Sequence, residues 1–163
     1  MAAGTAEVER VVGRLLLKQG LTLAVAESCT GGQICDRVTD VPGSSRYFVG
    51  GAIVYSNAAK TSVLGVKRQT LRNWGAVSEQ TVKEMAAGAC RLFRVQVGVA
   101  VSGIAGPGGG TKAKPVGLVY ICAMEGKQVA VECHRFRGGR RAVKEQSAGA
   151  ALRLCCKILE GKK

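Results

Sequence analysis

Aromatic side chains make up only 4% of the chain, and there are just three prolines and a single histidine, His134. With so few large rings, the core must be filled by Val, Leu, Ile and Ala, within a hydrophobic fraction of 47%. Scarce proline beside 23 glycines argues for tight strand–helix joints, not for a disordered chain. No apolar run reaches the ~18 residues that a membrane-spanning helix needs. The basic–apolar–small order of a secretory signal is missing from the first residues, so a cytoplasmic location and no membrane contact are expected.

Acidic residues are also short. Eleven Asp and Glu face 24 Lys and Arg, a formal net charge of +13. Such an excess attracts anions, whether nucleic acid or a phosphorylated metabolite. The cations are scattered, however, as at Arg10, Arg14, Lys67, Lys112, Arg135 and Arg141, and few aromatics are interleaved to stack on bases. A solvated basic surface is therefore favoured over nucleic-acid binding. The seven cysteines are odd in number and contain no Cys-x-x-Cys pair. That argues against a disulfide framework and against a zinc site of the usual spacing.

At 163 residues the chain suffices for one compact domain, spanning 1–163. Apolar residues Val8, Val11, Val12, Leu15 and Leu16 mark one face of a helix over Glu7–Lys18, ended by Gly20. Leu21–Ala26 reads as a buried strand and Gln33–Thr39 as a short helix, with Val41–Ser45 a turn cluster. Val49–Ser56 is the second strand, followed at Asn57–Lys60 by a turn or a first helical turn. Lys67–Trp74 is a short helix. Ser78 caps a longer one that carries Val82, Met85, Ala86, Ala89, Cys90 and Phe93 on one side.

Val95–Val101 is the third strand, and Gly117–Met124 with Gln128–Phe136 forms a hairpin. Arg140–Leu159 is the last helix, and Gly161–Lys163 a frayed tail. This order predicts an α/β sandwich: a mixed, mostly parallel sheet with helices on both faces. Three polar turns, Ser28–Gly32, Tyr55–Lys60 and Ser102–Thr111, each follow a strand. If those strands are parallel neighbours, the turns share one rim, where ligands bind in such sheets.

Ser28 sits where the first strand turns into a helix, near free N–H groups that can hold a phosphate or an oxyanion. Cys29 is its rival as nucleophile. The loop Gly106–Lys112 matches neither a Walker loop nor Gly-x-Gly-x-x-Gly; it is an anion nest or a plain surface turn. His134, in an alternating strand, is a poor partner for a Ser triad. Lys60 offers a Ser–Lys arrangement instead, with Tyr55 to relay a proton or orient it. As a base, Lys60 needs its pKa lowered from ~10.4 by about two to three pH units. The plainer alternative makes Ser28 a helix cap and Lys60 a solvent-facing or phosphate-binding cation.

These stretches carry a resemblance. Ala26-Glu27-Ser28-Cys29-Thr30-Gly31-Gly32, Pro42-Gly43-Ser44-Ser45, Gly51-Ala52-Ile53-Val54-Tyr55-Ser56-Asn57-Ala58-Ala59-Lys60, Gly75-Ala76-Val77-Ser78-Glu79 and Ser102-Gly103-Ile104-Ala105-Gly106-Pro107-Gly108-Gly109-Gly110-Thr111 stand in the order and spacing of one family. The chain resembles the CinA C-terminal domain, the nicotinamide-nucleotide amidase family, over nearly its whole length.

The resemblance implies a standalone, homo-oligomeric amidase. It would hydrolyse the carboxamide of nicotinamide mononucleotide to nicotinate mononucleotide and ammonia, with no cofactor and no metal. It implies Ser28 as nucleophile, Lys60 as base and Tyr55 beside them, with an oxyanion hole at Thr30, Gly31 and Gly32. Asn57, Ser102, Gly103, Gly106 and Gly108 would help to hold substrate, and Arg140 would contact its phosphate. Two departures stand out. The family's Thr-Pro-Glu-Lys-Pro-Val-Gly becomes Thr111-Lys112-Ala113-Lys114-Pro115-Val116-Gly117, and its Gly-Asp-Arg becomes Gly138-Gly139-Arg140. Each loses an acid. The alternatives are a catalytically silent nucleotide- or partner-binding domain of the same fold, and a basic nucleic-acid-binding protein, given the family's association with competence and DNA damage.

Overall fold

In the computed structural model, which describes residues 6–161, the elements run α1 (Ala6–Gln19), β1 (Leu23–Glu27), α2 (Gln33–Thr39), a 3-10 turn (Ser44–Arg46) and β2 (Phe48–Ile53). They continue with α3 (Asn57–Leu64), α4 (Arg68–Trp74), α5 (Glu79–Phe93), β3 (Val97–Gly103), β4 (Leu118–Glu125), β5 (Gln128–Arg135) and α6 (Arg140–Glu160). The tail residues Lys162 and Lys163 lie outside the described residues. Among those described, no helix is long and apolar enough to cross a membrane.

The strands form one sheet in the order β2-β1-β3-β4-β5. β1 pairs in parallel with β2 and with β3, while β3–β4 and β4–β5 are antiparallel. Parallel pairing is thus confined to the first three strands. The late hairpin, built on the short Glu125–Gln128 connection, adds the antiparallel half.

Strand β1 is buried along its whole length, as a central strand covered on both faces must be. Its alternation divides the interior in two. Leu23 and Val25 join Val12, Leu16, Ile34, Val99, Ile121 and Leu152 on the face covered by α1, α2 and α6. Ala24 and Ala26 join Leu64, Met85, Ala86 and Ala100 on the face covered by α3 and α5. The small residues on this second face let α5 approach closely: a Cβ on Gly98 would stand 2.6 Å from the Ala86 carbonyl oxygen. Each fully buried aliphatic side chain contributes about 1.5–3 kcal/mol against exposure, so these two layers hold the sheet in place.

Register fixes what happens at the rim. Glu27, the last residue of β1, pairs with Ile53 of β2 and Val101 of β3. β1 and β2 therefore end together, β3 runs two residues further to Gly103, and the turns after them meet at one edge, as expected for parallel neighbours.

The greatest departure from the sequence reading is α3. Asn57–Lys60, read as a turn or a first helical turn, is the start of a full helix that runs to Leu64. The Ser56 hydroxyl accepts from the Ala59 amide at 3.0 Å and caps its start, and Gly65, at φ 70°, ends it. Its apolar stripe is short, which is why periodicity does not disclose it.

Candidate functional site

Helix α3 carries Lys60 inward. Lys60 is only 1% exposed, an unusual burial for a lysine. Its Nζ donates to the Val54 carbonyl at 2.9 Å and to Ser28 Oγ at 3.0 Å. Burial pushes the Lys60 pKa below the ordinary lysine value, with the neighbouring Cys29 opposing. Ser28 is held by its own amide, which donates to the Val101 carbonyl of β3. So the hydroxyl comes from the residue after β1, the amine from α3, and the backbone that fixes them from the residue after β2 and from β3. The geometry is that of a nucleophile with an adjacent base.

Cys29 is different. Its thiol is buried and pushed up to about 11, first by desolvation and then by the charge of Glu27. A thiol so placed is a small apolar filler, unlike the Ser28 hydroxyl, which meets the Lys60 amine.

The N-terminus of α2 is already filled. The Glu27 carboxylate, fully buried, accepts from the amides of Gly32 (2.9 Å), Ile34 (3.2 Å) and Cys35 (2.8 Å). The amide of Gly31 donates to the Ser28 carbonyl. Of the three residues expected to form an oxyanion hole, Gly31 and Gly32 therefore have engaged amides. The Thr30 amide meets no backbone acceptor among the described residues. The Thr30 side chain is buried as well, and its Oγ1 has no hydrogen-bond partner among the described residues.

A cavity of about 660 Å³ opens beside this turn, lined by Thr30, Gly31, Gly32, Gln33, Asp36, Arg140, Arg141 and Lys144. Its far wall is the first turn of α6, and it is basic. Arg140 is the residue that ties the rim together. Its guanidinium donates to the Gly106 carbonyl and to the Tyr55 hydroxyl, both at 2.8 Å. One side chain thus joins the turn after β2, the Gly-rich loop and α6. Tyr55 is 61% exposed and faces Arg140; the partners of Lys60 are Ser28 and Val54.

The other expected site residues are spread more widely. Ser102 is buried and its hydroxyl donates to the Ala76 carbonyl, tying the end of β3 to the turn before α5. Gly103 is a packing position, since a Cβ would meet Val119 at 2.5 Å and the Leu118 carbonyl at 2.9 Å. Gly106 meets Arg140 through its carbonyl, while Gly108 stands in open space. Asn57 lines a separate groove with Thr61, Arg68 and Arg72. Sequence reasoning does not single out Glu27, Arg141 or Lys144 as site residues. A carboxylate ending an apolar strand, just before two glycines and a helix, is the available signal for the first.

The comparisons agree with this architecture. A family model described as the CinA C-terminal domain matches residues 5–159. The CinA-like protein of Thermotoga neapolitana is 51% identical over 146 residues, 90% of this chain but 36% of that protein. The chain spans about a third of the length of such curated relatives. Among solved structures, the competence/damage inducible protein CihA from Agrobacterium tumefaciens is similar with a TM-score of 0.92 and 38% identity, over 94% of each chain. The competence damage-inducible protein A (ComA) from Klebsiella pneumoniae gives 0.93 and 32% identity, over 98% of this chain and 99% of that one.

Proposed function

The chain belongs to the CinA C-terminal domain family, and from that premise we propose that it is an amidohydrolase converting nicotinamide mononucleotide to nicotinate mononucleotide and ammonia. The observation that carries this reading is the buried Lys60 amine 3.0 Å from Ser28 Oγ. A cation in solvent would not be driven toward its neutral form. A buried one is, and a neutral amine is a base.

In the reaction, Lys60 Nζ takes the Ser28 proton as Oγ attacks the carboxamide carbon. The tetrahedral oxyanion is met by the Thr30 amide, a donor of the kind worth about 3–4 kcal/mol in such sites. Collapse breaks the C–N bond, and Lys60 returns the proton to the leaving nitrogen, releasing ammonia. The ester left on Ser28 is attacked by water, with Lys60 again taking the proton. That frees nicotinate mononucleotide and restores the hydroxyl. The Val54 carbonyl keeps the amine aimed throughout. The positive pyridinium ring makes the carboxamide more electrophilic. The phosphate, directed to Arg140 and Lys144 on the basic wall, positions the ring from a distance.

Ammonia release from nicotinamide mononucleotide is the test, with wild type, Ser28→Ala and Lys60→Ala side by side. Release by wild type alone supports the reading. Equal release by Ser28→Ala, or none by folded wild type, overturns it.

A further inference from the structure

We propose that Glu27 is the positioning residue of the Ser28–Lys60 pair, an inference that rests on the amidase reading above. No cation is paired with its buried carboxylate among the described residues. Instead it takes three amides of the α2 N-terminus: Oε2 accepts from Gly32 and Ile34, and Oε1 from Cys35. The cap position of α2 is Gly32, at φ 101°, which has no side chain to cap with. Glu27 does that work from the strand before the turn. A carboxylate is suited to it by its negative charge and several acceptor sites.

Its backbone completes a circuit. The Glu27 carbonyl accepts from the Val54 amide at 2.8 Å. The Val54 carbonyl accepts from Lys60 Nζ, and Lys60 Nζ reaches Ser28 Oγ, one peptide bond from Glu27. Both reacting groups are thus referred to a single residue: Ser28 through the main chain and Lys60 through Val54. The carboxylate pins that residue against α2.

The α2 N-terminus is thereby closed to the substrate's anion, which leaves anion recognition to the cations of α6. The negative charge beside Cys29 and Cys35 also keeps both thiols protonated, reinforcing the effect of burial. The turn therefore presents a hydroxyl, and not a thiol, as the nucleophile.

Glu27→Gln tests this. It keeps the length of the side chain but replaces one acceptor oxygen with an N–H₂ group that faces a backbone donor. Active sites are first counted by covalent labelling of Ser28 with a fluorophosphonate, so that lost protein is not mistaken for lost catalysis. Per labelled site, kcat for ammonia release should fall roughly ten- to a hundredfold, as small misplacements of reacting groups do. KM should hold, because the α6 wall is untouched. The acid limb of the pH profile should shift, because loss of the Glu27 charge lowers the Lys60 pKa and water admitted by the loosened turn raises it. A purely structural role would leave both kcat per site and that limb in place, and that result overturns the proposal.

If wild type releases no ammonia, the amidase reading fails on its own. Glu27 is then judged by the rate at which the fluorophosphonate labels Ser28: slower labelling in Glu27→Gln supports the proposal, and equal rates end it. Should Glu27→Gln not fold, Glu27→Asp, which keeps the charge and shortens the reach, takes the same measurements: a loss per labelled site supports the proposal, and unchanged values overturn it.

Discussion

Gly88 of α5 lies so close to Leu64 of α3 that a Cβ on it would stand 2.2 Å from the Leu64 carbonyl oxygen. That contact seats the helix which delivers Lys60. Gly88→Ala must push α3 away from α5, because the obstructing atom is backbone and cannot rotate aside. We expect a loss of about 1–3 kcal/mol in stability, the usual cost of overpacking. Ammonia release should fall further than the folded fraction does, since Lys60 moves with α3. Urea denaturation and activity on the same preparation check both. Wild-type activity in a destabilised Gly88→Ala would show that the seat of α3 does not set the Lys60 position.

Burial of Lys60 fixes the sign of two pH effects. Its pKa in the folded protein lies below the ordinary lysine value of about 10.4. In the proposed reaction the neutral amine is the base, so kcat/KM should rise with pH up to the lowered pKa and then level. An inflection at or above the ordinary lysine value would remove Lys60 as the base. For stability, unfolding restores the ordinary pKa, so the unfolded chain binds the extra proton between the two values. Stability from this group therefore rises with pH across that window and is lowest beneath it. The difference in urea midpoint between wild type and Lys60→Met, followed against pH, isolates the effect.

How much of this is legible in the sequence depends on whether local chemistry or tertiary packing decides the feature. The helix predicted at Gln33–Thr39 has its observed bounds, and Ser78 as the cap of α5 is borne out by its hydroxyl accepting from the Thr81 amide. Cap residues and glycines act over a few residues, so sequence displays them. The shared rim is legible because alternating strands and helices force parallel neighbours. The extent of α3 is not, because its inward residues, Lys60 and Leu64, include a charge that no hydrophobic pattern places in a core. Glu27 escapes for the same reason: a carboxylate at a fully buried strand end makes sense only once the α2 amides are seen above it.

Cys29 gives the sharpest contrast with Ser28. With its thiol near 11, about one molecule in a thousand carries the thiolate at pH 8. Iodoacetamide should leave ammonia release intact over the time in which exposed Cys133 is modified. Cys29→Ala should keep activity within about threefold while costing about 1 kcal/mol of stability for the lost buried sulfur. Rapid inactivation by the alkylating agent, absent in Cys29→Ala, would return the nucleophile to Cys29.

Arg140 and Asn57 were both expected to hold substrate, and the structure separates them. Arg140 lines the cavity at the Thr30–Gly32 turn and is braced there by Gly106 and Tyr55. Asn57 opens onto a different groove. A charge-assisted hydrogen bond to a phosphate contributes about 1.5–3 kcal/mol, so Arg140→Ala should raise KM for nicotinamide mononucleotide by roughly ten- to a hundredfold. Much of kcat should remain, because the Ser28–Lys60 pair is untouched. Tyr55→Phe, which removes one brace and no charge, should give a smaller rise of the same kind. Asn57→Ala should change KM less than about threefold, the range of ordinary surface substitutions. Steady-state kinetics on the four proteins decides it. If Asn57→Ala raises KM as much as Arg140→Ala does, the substrate lies across both grooves, and the phosphate is not held at the α6 wall alone.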